Sequence, residues 1–137
     1  MTDPLPGLSL HHVGILVRDF LAAVGQYRSL GFDDPDIIEV PEQQIIAAVF
    51  KVGHGYVELI APTDTESGTA RYLAKRGEGT HHIAYAVPDI ASKLQELRAA
   101  GFRLIDDVPR TGAHNWRIGF IHPESCHGVL TELVQEQ

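Results

Sequence analysis

Two apolar segments of the chain each carry a His-His pair. The segment LHHVGILV places His12 two positions before Gly14, and THHIAYAV places His82 two positions before Ala84. Neutral imidazole is a common ligand of transition metals. Because side chains alternate along a strand, each of these histidines shares its face with a small residue. The small neighbour leaves room beside the ring, so His12 and His82 are candidate metal ligands, and a hydrogen-bonded core histidine is the alternative.

Two glutamates interrupt apolar segments in the same manner. Glu58 lies in GYVELIAP and Glu132 lies in GVLTELVQ. A buried carboxylate without a partner costs several kcal/mol, so each needs a solvent-facing edge strand, an arginine or a cation. One divalent ion would satisfy both carboxylates and both imidazoles. A nitrogen and oxygen ligand set without thiolate suits Co²⁺, Mn²⁺, Ni²⁺, Zn²⁺ or Fe²⁺ without ranking them.

The elements that must position these residues come from an internal duplication. Matching residues in the two copies are His11 and His81, His12 and His82, Asp19 and Asp89, Arg28 and Arg98, and Gly31 and Gly101. Each copy predicts a strand followed by a helix that an Asp caps and a Gly ends. Further strands are predicted over 45–52 and 55–60, and over 103–105, 117–121 and 128–134.

We therefore expect an α+β fold built from two tandem βαβββ modules. The predicted limits are 8–62 for the first module and 80–137 for the second, within one domain over 1–137. The connecting segment, 63–79, is predicted to hold a short helix around 70–75.

Composition excludes several classes of protein and site. The 137 residues contain one cysteine, Cys126, which rules out an internal disulfide framework and a cysteine-based zinc site. The formal net charge of -7 opposes an extended nucleic-acid or anionic-membrane surface. No apolar stretch reaches the length of a membrane span, and the start Met-Thr-Asp-Pro lacks a secretory signal. We expect a cytoplasmic protein with no nucleic-acid or membrane partner.

The motifs taken together resemble the vicinal oxygen chelate superfamily, and within it the methylmalonyl-CoA epimerase family. The resemblance covers nearly the whole chain, from HHVGILV through VELIAP and YLAKRGEGTHHIAYAVPDI to GVLTELVQ. The short HHVGI motif is common to the superfamily. The combination of PEQ after the first helix with HPES and GVLTEL near the end is more specific.

The resemblance implies a metal-dependent epimerase with a metal cleft between the modules. It would interconvert the 2R and 2S forms of methylmalonyl-CoA, or of a close 2-substituted malonyl- or acyl-CoA, by 1,1-proton transfer through a metal-stabilised enolate. The implied metal ligands are His12, Glu58, His82 and Glu132, and the implied catalytic carboxylates are Glu42 and Glu132. The implied cofactor is one divalent ion, with Co²⁺ favoured and Zn²⁺, Mn²⁺ or Ni²⁺ as alternatives. The implied assembly is a homodimer.

Other activities of the same superfamily remain open from the sequence. They are a lactoylglutathione lyase of the glyoxalase I kind, an iron oxygenase with two histidines and one carboxylate, and a non-catalytic small-molecule-binding protein. The chain departs from the epimerase pattern at Gln44, where Gly is common, and at Trp116 and Glu124. These departures concern the recognition of the acyl group or CoA more than the chemistry.

Overall fold

The computed structural model describes residues 8–137. Residues 1–7, which include the start on which the expectation about a secretory signal depends, lie outside this described part. Residues 12–81 form one compact unit, and residues 82–137 together with 8–11 form another. The module limits expected from the repeat, 8–62, 63–79 and 80–137, stay a prediction.

Eight strands and three α-helices make up the described chain. In order they are β1 (Ser9–Leu16), α1 (Phe20–Leu30), β2 (Asp36–Val40), β3 (Ile45–Val52), β4 (Gly55–Pro62), α2 (Gly68–Arg76), β5 (Gly79–Ala86), α3 (Ile90–Ala99), β6 (Arg110–Thr111), β7 (Arg117–Ile121) and β8 (Thr131–Gln135). The helix expected around 70–75 is confirmed as α2.

The two units repeat one strand arrangement. In 12–81 the strands follow the order β2-β3-β4-β1, with β1 parallel to β4 and the other pairs antiparallel. In 82–137 they follow β5-β8-β7-β6, and β5 is parallel to β8. The predicted α+β fold of two βαβββ modules is confirmed. In each module the strand that contains the His-His pair lies beside the strand that carries the glutamate.

Helix limits follow from the predicted caps. Asp19 accepts a hydrogen bond from the backbone N–H of Ala22 at 3.1 Å, and α1 ends at Gly31, whose φ of 115° is left-handed. Asp89 caps α3 through the N–H of Ser92 in the same way. Gly101 is also left-handed, although α3 already ends at Ala99.

Helices α1 and α3 each pack on the sheet of their own unit through apolar residues. Val24 of α1 lies in a cluster with the fully buried Phe50 and Leu59. Ile90 and Leu94 of α3 are fully buried in a second cluster. Both helices thereby support the strands that carry the candidate site residues.

The strand predictions differ from the structure at several points. Strand β4 continues to Pro62 rather than ending at 60, and the short strand β6 was not predicted. Residues 103–105 were expected to form a strand, but they contribute only an isolated bridge between Leu104 and Ile121. The last strand begins at Thr131 rather than at 128, because His127 and Gly128 adopt left-handed turns. Strand β2 was not predicted, since two prolines flank its short sequence DIIEV.

Candidate metal centre

The first histidine-glutamate pair lies on the parallel strands β1 and β4. The strand register places Glu58 opposite Gly14, two residues beyond His12. Because Gly14 has no side chain, this face has room for both an imidazole and a carboxylate. His12 Nε2 lies 3.9 Å from Oε1 of Glu58, and the residues are 3% and 7% exposed. The imidazole of His12 and the carboxylate of Glu58 are therefore neighbours in the interior of their unit.

The second pair occupies the matching position on β5 and β8. Glu132 lies opposite Ala84, two residues beyond His82. His82 Nε2 is 3.1 Å from Oε1 of Glu132, and the residues are 3% and 4% exposed. The ring of Phe120 meets the His82 ring edge-on, with 5.6 Å between centroids. A buried imidazole and a buried carboxylate are therefore in direct contact beside the ring of Phe120.

The donor atoms of each pair are of the kind that binds a divalent transition metal. Each unit buries one imidazole nitrogen beside one carboxylate oxygen, His12 with Glu58 in one unit and His82 with Glu132 in the other. Neutral imidazole and carboxylate are suitable ligands for such an ion. The donors therefore fit a divalent ion without identifying it.

Glu42, the carboxylate expected to act without binding metal, lies in a short 3₁₀ turn. The turn spans Pro41–Gln43 between β2 and β3, and Glu42 is exposed. An exposed carboxylate can exchange protons with solvent, which a catalytic base must do after each turnover. Its role as a base stays a prediction.

The first histidine of each pair makes contacts of its own. His11 is buried, its Nε2 lies 2.7 Å from Oε2 of Glu136, and its ring meets Trp116 edge-on. His81 is half-buried and packs edge-on against Tyr72. The contact with Glu136 had no signal in the sequence, because the two residues are 125 positions apart.

The residues that depart from the epimerase pattern have distinct surroundings. Trp116 is buried between the rings of His11 and His114, with centroids 4.6 and 4.8 Å away. Glu124 is exposed, and its Oε2 lies 3.5 Å from Nη1 of Arg103. The bulky Trp116 is thus part of the packing of its unit.

Comparison with known proteins identifies the class. The family model described as the Glyoxalase/Bleomycin resistance protein/Dioxygenase superfamily matches residues 11–120. That range includes both His-His pairs and ends within β7, so it does not include β8. The chain belongs to this superfamily, and its glyoxalase-like fold, predicted from the motifs, is confirmed.

Relatives within the superfamily are more specific. The ethylmalonyl-CoA/methylmalonyl-CoA epimerase of Cereibacter sphaeroides is 35% identical over 92% of this chain and 96% of its own. The mitochondrial methylmalonyl-CoA epimerase of Mus musculus is 31% identical over 92% of this chain and 72% of its own. A methylmalonyl-CoA epimerase solved in complex with methylmalonyl-CoA and NH₄⁺ is 38% identical, superposes with a TM-score of 0.90 and covers 95% of each chain. The chain is accordingly a member of the methylmalonyl-CoA epimerase family, and it is an isomerase.

None of the helices in the described residues combines the length and apolar character that crossing a membrane requires.

Proposed function

We propose that this chain interconverts the 2R and 2S forms of methylmalonyl-CoA, or of a close 2-substituted malonyl- or acyl-CoA, with the help of one divalent metal ion. The observation that carries the proposal is the repeated histidine-glutamate pair, buried in each unit opposite a residue too small to fill the face. A buried carboxylate needs a compensating charge, and a cation provides it.

The proposed ligands are His12, Glu58, His82 and Glu132. Support comes from the nitrogen and oxygen donors that each unit buries as a pair, His12 with Glu58 and His82 with Glu132. Co²⁺ is our first choice by family resemblance, and Zn²⁺, Mn²⁺ and Ni²⁺ suit the same donors.

The reaction inverts a carbon between a thioester and a carboxylate, which requires two bases on opposite faces of that carbon. We assign Glu132 and Glu42 to these roles, so that one removes the α-proton and the other supplies a proton to the opposite face. A divalent ion, when bound, would supply a Lewis acid for the negative charge that develops on the thioester oxygen. Burial of Glu132 excludes water from its side of the site, whereas the exposed Glu42 exchanges readily with solvent.

The substrate class is supported by the names of the relatives. The Cereibacter relative is named for both ethylmalonyl-CoA and methylmalonyl-CoA, so the size of the 2-substituent varies within this family. Trp116 and Glu124 stand at positions where this chain departs from the family pattern. The acyl group that the chain prefers is therefore to be determined by measurement.

The test is a substrate screen in D₂O. The metal-loaded protein, prepared with Co²⁺, is incubated with malonyl-CoA and with its 2-methyl and 2-ethyl derivatives, and deuterium at the α-carbon is followed by mass spectrometry. We expect deuterium incorporation and interconversion of epimers for a substituted thioester, and loss of both after the metal is removed by chelation.

Two outcomes would contradict the proposal. One is the absence of α-deuteration with Co²⁺, Zn²⁺, Mn²⁺ and Ni²⁺ alike. The other is conversion of the hemithioacetal of methylglyoxal and glutathione in place of the CoA thioesters, which would indicate a lyase of the glyoxalase I kind.

We also propose a homodimer in the cytoplasm. Family resemblance supports the dimer, and strands β2 and β6 each lie at an end of the strand order of their own unit, where a second copy could add. A monomeric mass in light scattering at micromolar concentration would contradict the dimer, and fractionation of the source cells tests the location.

A further inference from the structure

The turn that carries Glu42 ends at a residue with an unusual backbone conformation. Gln44 adopts φ 56° and ψ 45°, in the left-handed region that favours glycine. Its N–H donates to the carbonyl of Pro41 at 3.1 Å, which closes the turn. A glutamine kept in this conformation requires compensating contacts from its surroundings.

Those contacts come from the segment after β4. The Nε2 of Gln44 donates to Oδ2 of Asp64 at 3.1 Å. The N–H of Thr63 donates to the carbonyl of Gln44 at 2.9 Å. Both the side chain and the backbone of Gln44 are thus bonded to this second segment.

Asp64 is itself a fixed acceptor. Its Oδ1 accepts the N–H of Glu66 at 2.7 Å, and its carbonyl accepts the hydroxyl of Ser67 at 3.0 Å. Ser67 is buried and caps α2 through the N–H of Ala70. The hydrogen bond from Gln44 therefore connects the Glu42 turn to the start of a helix.

We propose that Gln44 is a positioning residue for Glu42. Its hydrogen bond to Asp64 holds the Pro41–Gln43 turn in one conformation, so that the Glu42 carboxylate stays available on one face of the substrate. The inference deepens the proposed function and rests on it, because it takes Glu42 as one of the two bases. A glycine at position 44 would satisfy the backbone conformation but not this connection.

The test uses Gln44→Gly and follows each pure epimer separately in D₂O. Glycine adopts the left-handed conformation without strain, so we expect the melting temperature of the variant to stay near that of the parent. We expect α-proton exchange to fall about tenfold or more for the epimer served by Glu42, a change of about 1.4 kcal/mol in barrier. Exchange of the other epimer through Glu132 should stay within about twofold.

Matched variants separate the hydrogen bond from other effects. Asp64→Ala should reproduce the epimer-selective loss, and Gln44→Gly combined with Asp64→Ala should add no further loss, because both remove the same bond. Gln26→Ala, at an exposed position of α1 in the same unit, should exchange both epimers at the parent rate. Hydrogen exchange of the 41–45 peptide should increase in the Gln44 and Asp64 variants only.

Three outcomes would overturn the inference. In the first, Gln44→Gly exchanges both epimers at the parent rate. In the second, it slows both equally, which indicates a general loss of structure. In the third, backbone exchange over 41–45 does not change. If the parent exchanges neither epimer, the proposed function itself is wrong. Increased hydrogen exchange of the 41–45 peptide in the variants would then show only that the bond between Gln44 and Asp64 stabilises the turn, without a role in catalysis.

Discussion

Burying a histidine and a glutamate lowers the stability of a small protein unless each side chain has a partner. His82 and Glu132 are both almost fully removed from water, and Nε2 and Oε1 lie 3.1 Å apart. Removing one partner leaves the other buried without compensation, which typically costs 3–5 kcal/mol for a charged pair, or about 1–3 kcal/mol for a neutral hydrogen-bonding group. Stability and metal content must therefore be measured together in any variant of these residues.

The first prediction concerns metal content. His12→Ala and His82→Ala should each lower the occupancy of Co²⁺ measured by elemental analysis after dialysis, because each removes a proposed nitrogen ligand. Metal is added at about 100 times the dissociation constant of the parent. At that concentration it should stabilise the parent by about 2.7 kcal/mol, and the variants by less because they bind metal more weakly. His54→Ala, at an exposed position, is the control. Full occupancy in both ligand variants would refute the assignment.

The second prediction concerns Glu42. Glu42→Gln preserves size and polarity but removes the base, so epimerisation should fall about 100-fold or more, which corresponds to about 2.7 kcal/mol in activation free energy. Metal content should not change, because Glu42 is not among the proposed ligands. The matched control is Glu39→Gln on the exposed edge of β2. An enzyme with Gln at position 42 that epimerises at the parent rate would exclude Glu42 from the mechanism.

The third prediction concerns pH. The backbone N–H and then the hydroxyl of Ser92 donate to the carboxylate of Asp89, and these hydrogen bonds lower its pKa below the ordinary value. The folded chain thus binds fewer protons there than the unfolded chain. The stabilisation is complete above the unfolded pKa of about 3.9 and is lost as the pH falls through the lower folded value.

Asp89→Asn retains a helix-capping side chain that does not titrate in this range. In urea titrations from pH 7 to about pH 2.5, the stability advantage of the parent over this variant should shrink below about pH 4. Parallel stability curves over the whole range would contradict the role of this carboxylate.

Residue-scale features were predictable where they repeat in the sequence. His12 and His82 stood out because each has a small residue two positions later, and the register places a glutamate opposite that residue. The sequence alone did not distinguish Glu58 from Glu132, whereas the structure gives them different distances to the histidine of their own unit, 3.9 Å for Glu58 and 3.1 Å for Glu132. Residue types do not encode a difference of this size.

Elements were predictable where local signals agree. The limits of β3 and β7 match the prediction because an apolar run of strand length has clear boundaries at both ends. The 103–105 segment has strand-like residues, but it forms only a bridge at Leu104. Long-range pairing decides such short segments, and a sequence pattern does not contain it.

The fourth prediction concerns the packing of α3. Leu94 is fully buried, and a Cβ added at Gly119 of β7 would lie 3.1 Å from Leu94 Cδ1. Leu94→Ala should lower the free energy of unfolding by about 2–5 kcal/mol, because the cavity it leaves cannot collapse completely. Leu21→Ala on α1 removes the same atoms from a side chain that is 75% exposed, and it should change stability by about 0.5 kcal/mol or less.

Chemical denaturation of both variants at one pH and temperature measures the difference. Equal losses for Leu94→Ala and Leu21→Ala would contradict the packing described for α3. A double variant with Gly119→Ala and Leu94→Ala should be more stable than the sum of the single effects predicts, because the added methyl group fills part of the cavity.

At the scale of the whole molecule, a duplicated module provides two equivalent places for a histidine and a carboxylate. Each unit has one pair on parallel strands, and each pair lies opposite a small residue. Duplication would therefore account for the equal numbers of histidines and carboxylates in the proposed ligand set. The proposed base, Glu42, has no counterpart in this repeat, and only family resemblance could indicate it from the sequence.

Membership of residues 8–11 in the later unit has a consequence for synthesis on the ribosome. His11 contacts Glu136, 125 positions further along the chain, and this contact lies in the unit formed by 82–137. At a translation rate of about 5–20 residues/s, His11 is synthesised roughly 6–25 s before Glu136. All residues of 12–81 are made during that interval. A ribosome that stalls before residue 136 therefore leaves His11 without the carboxylate of Glu136.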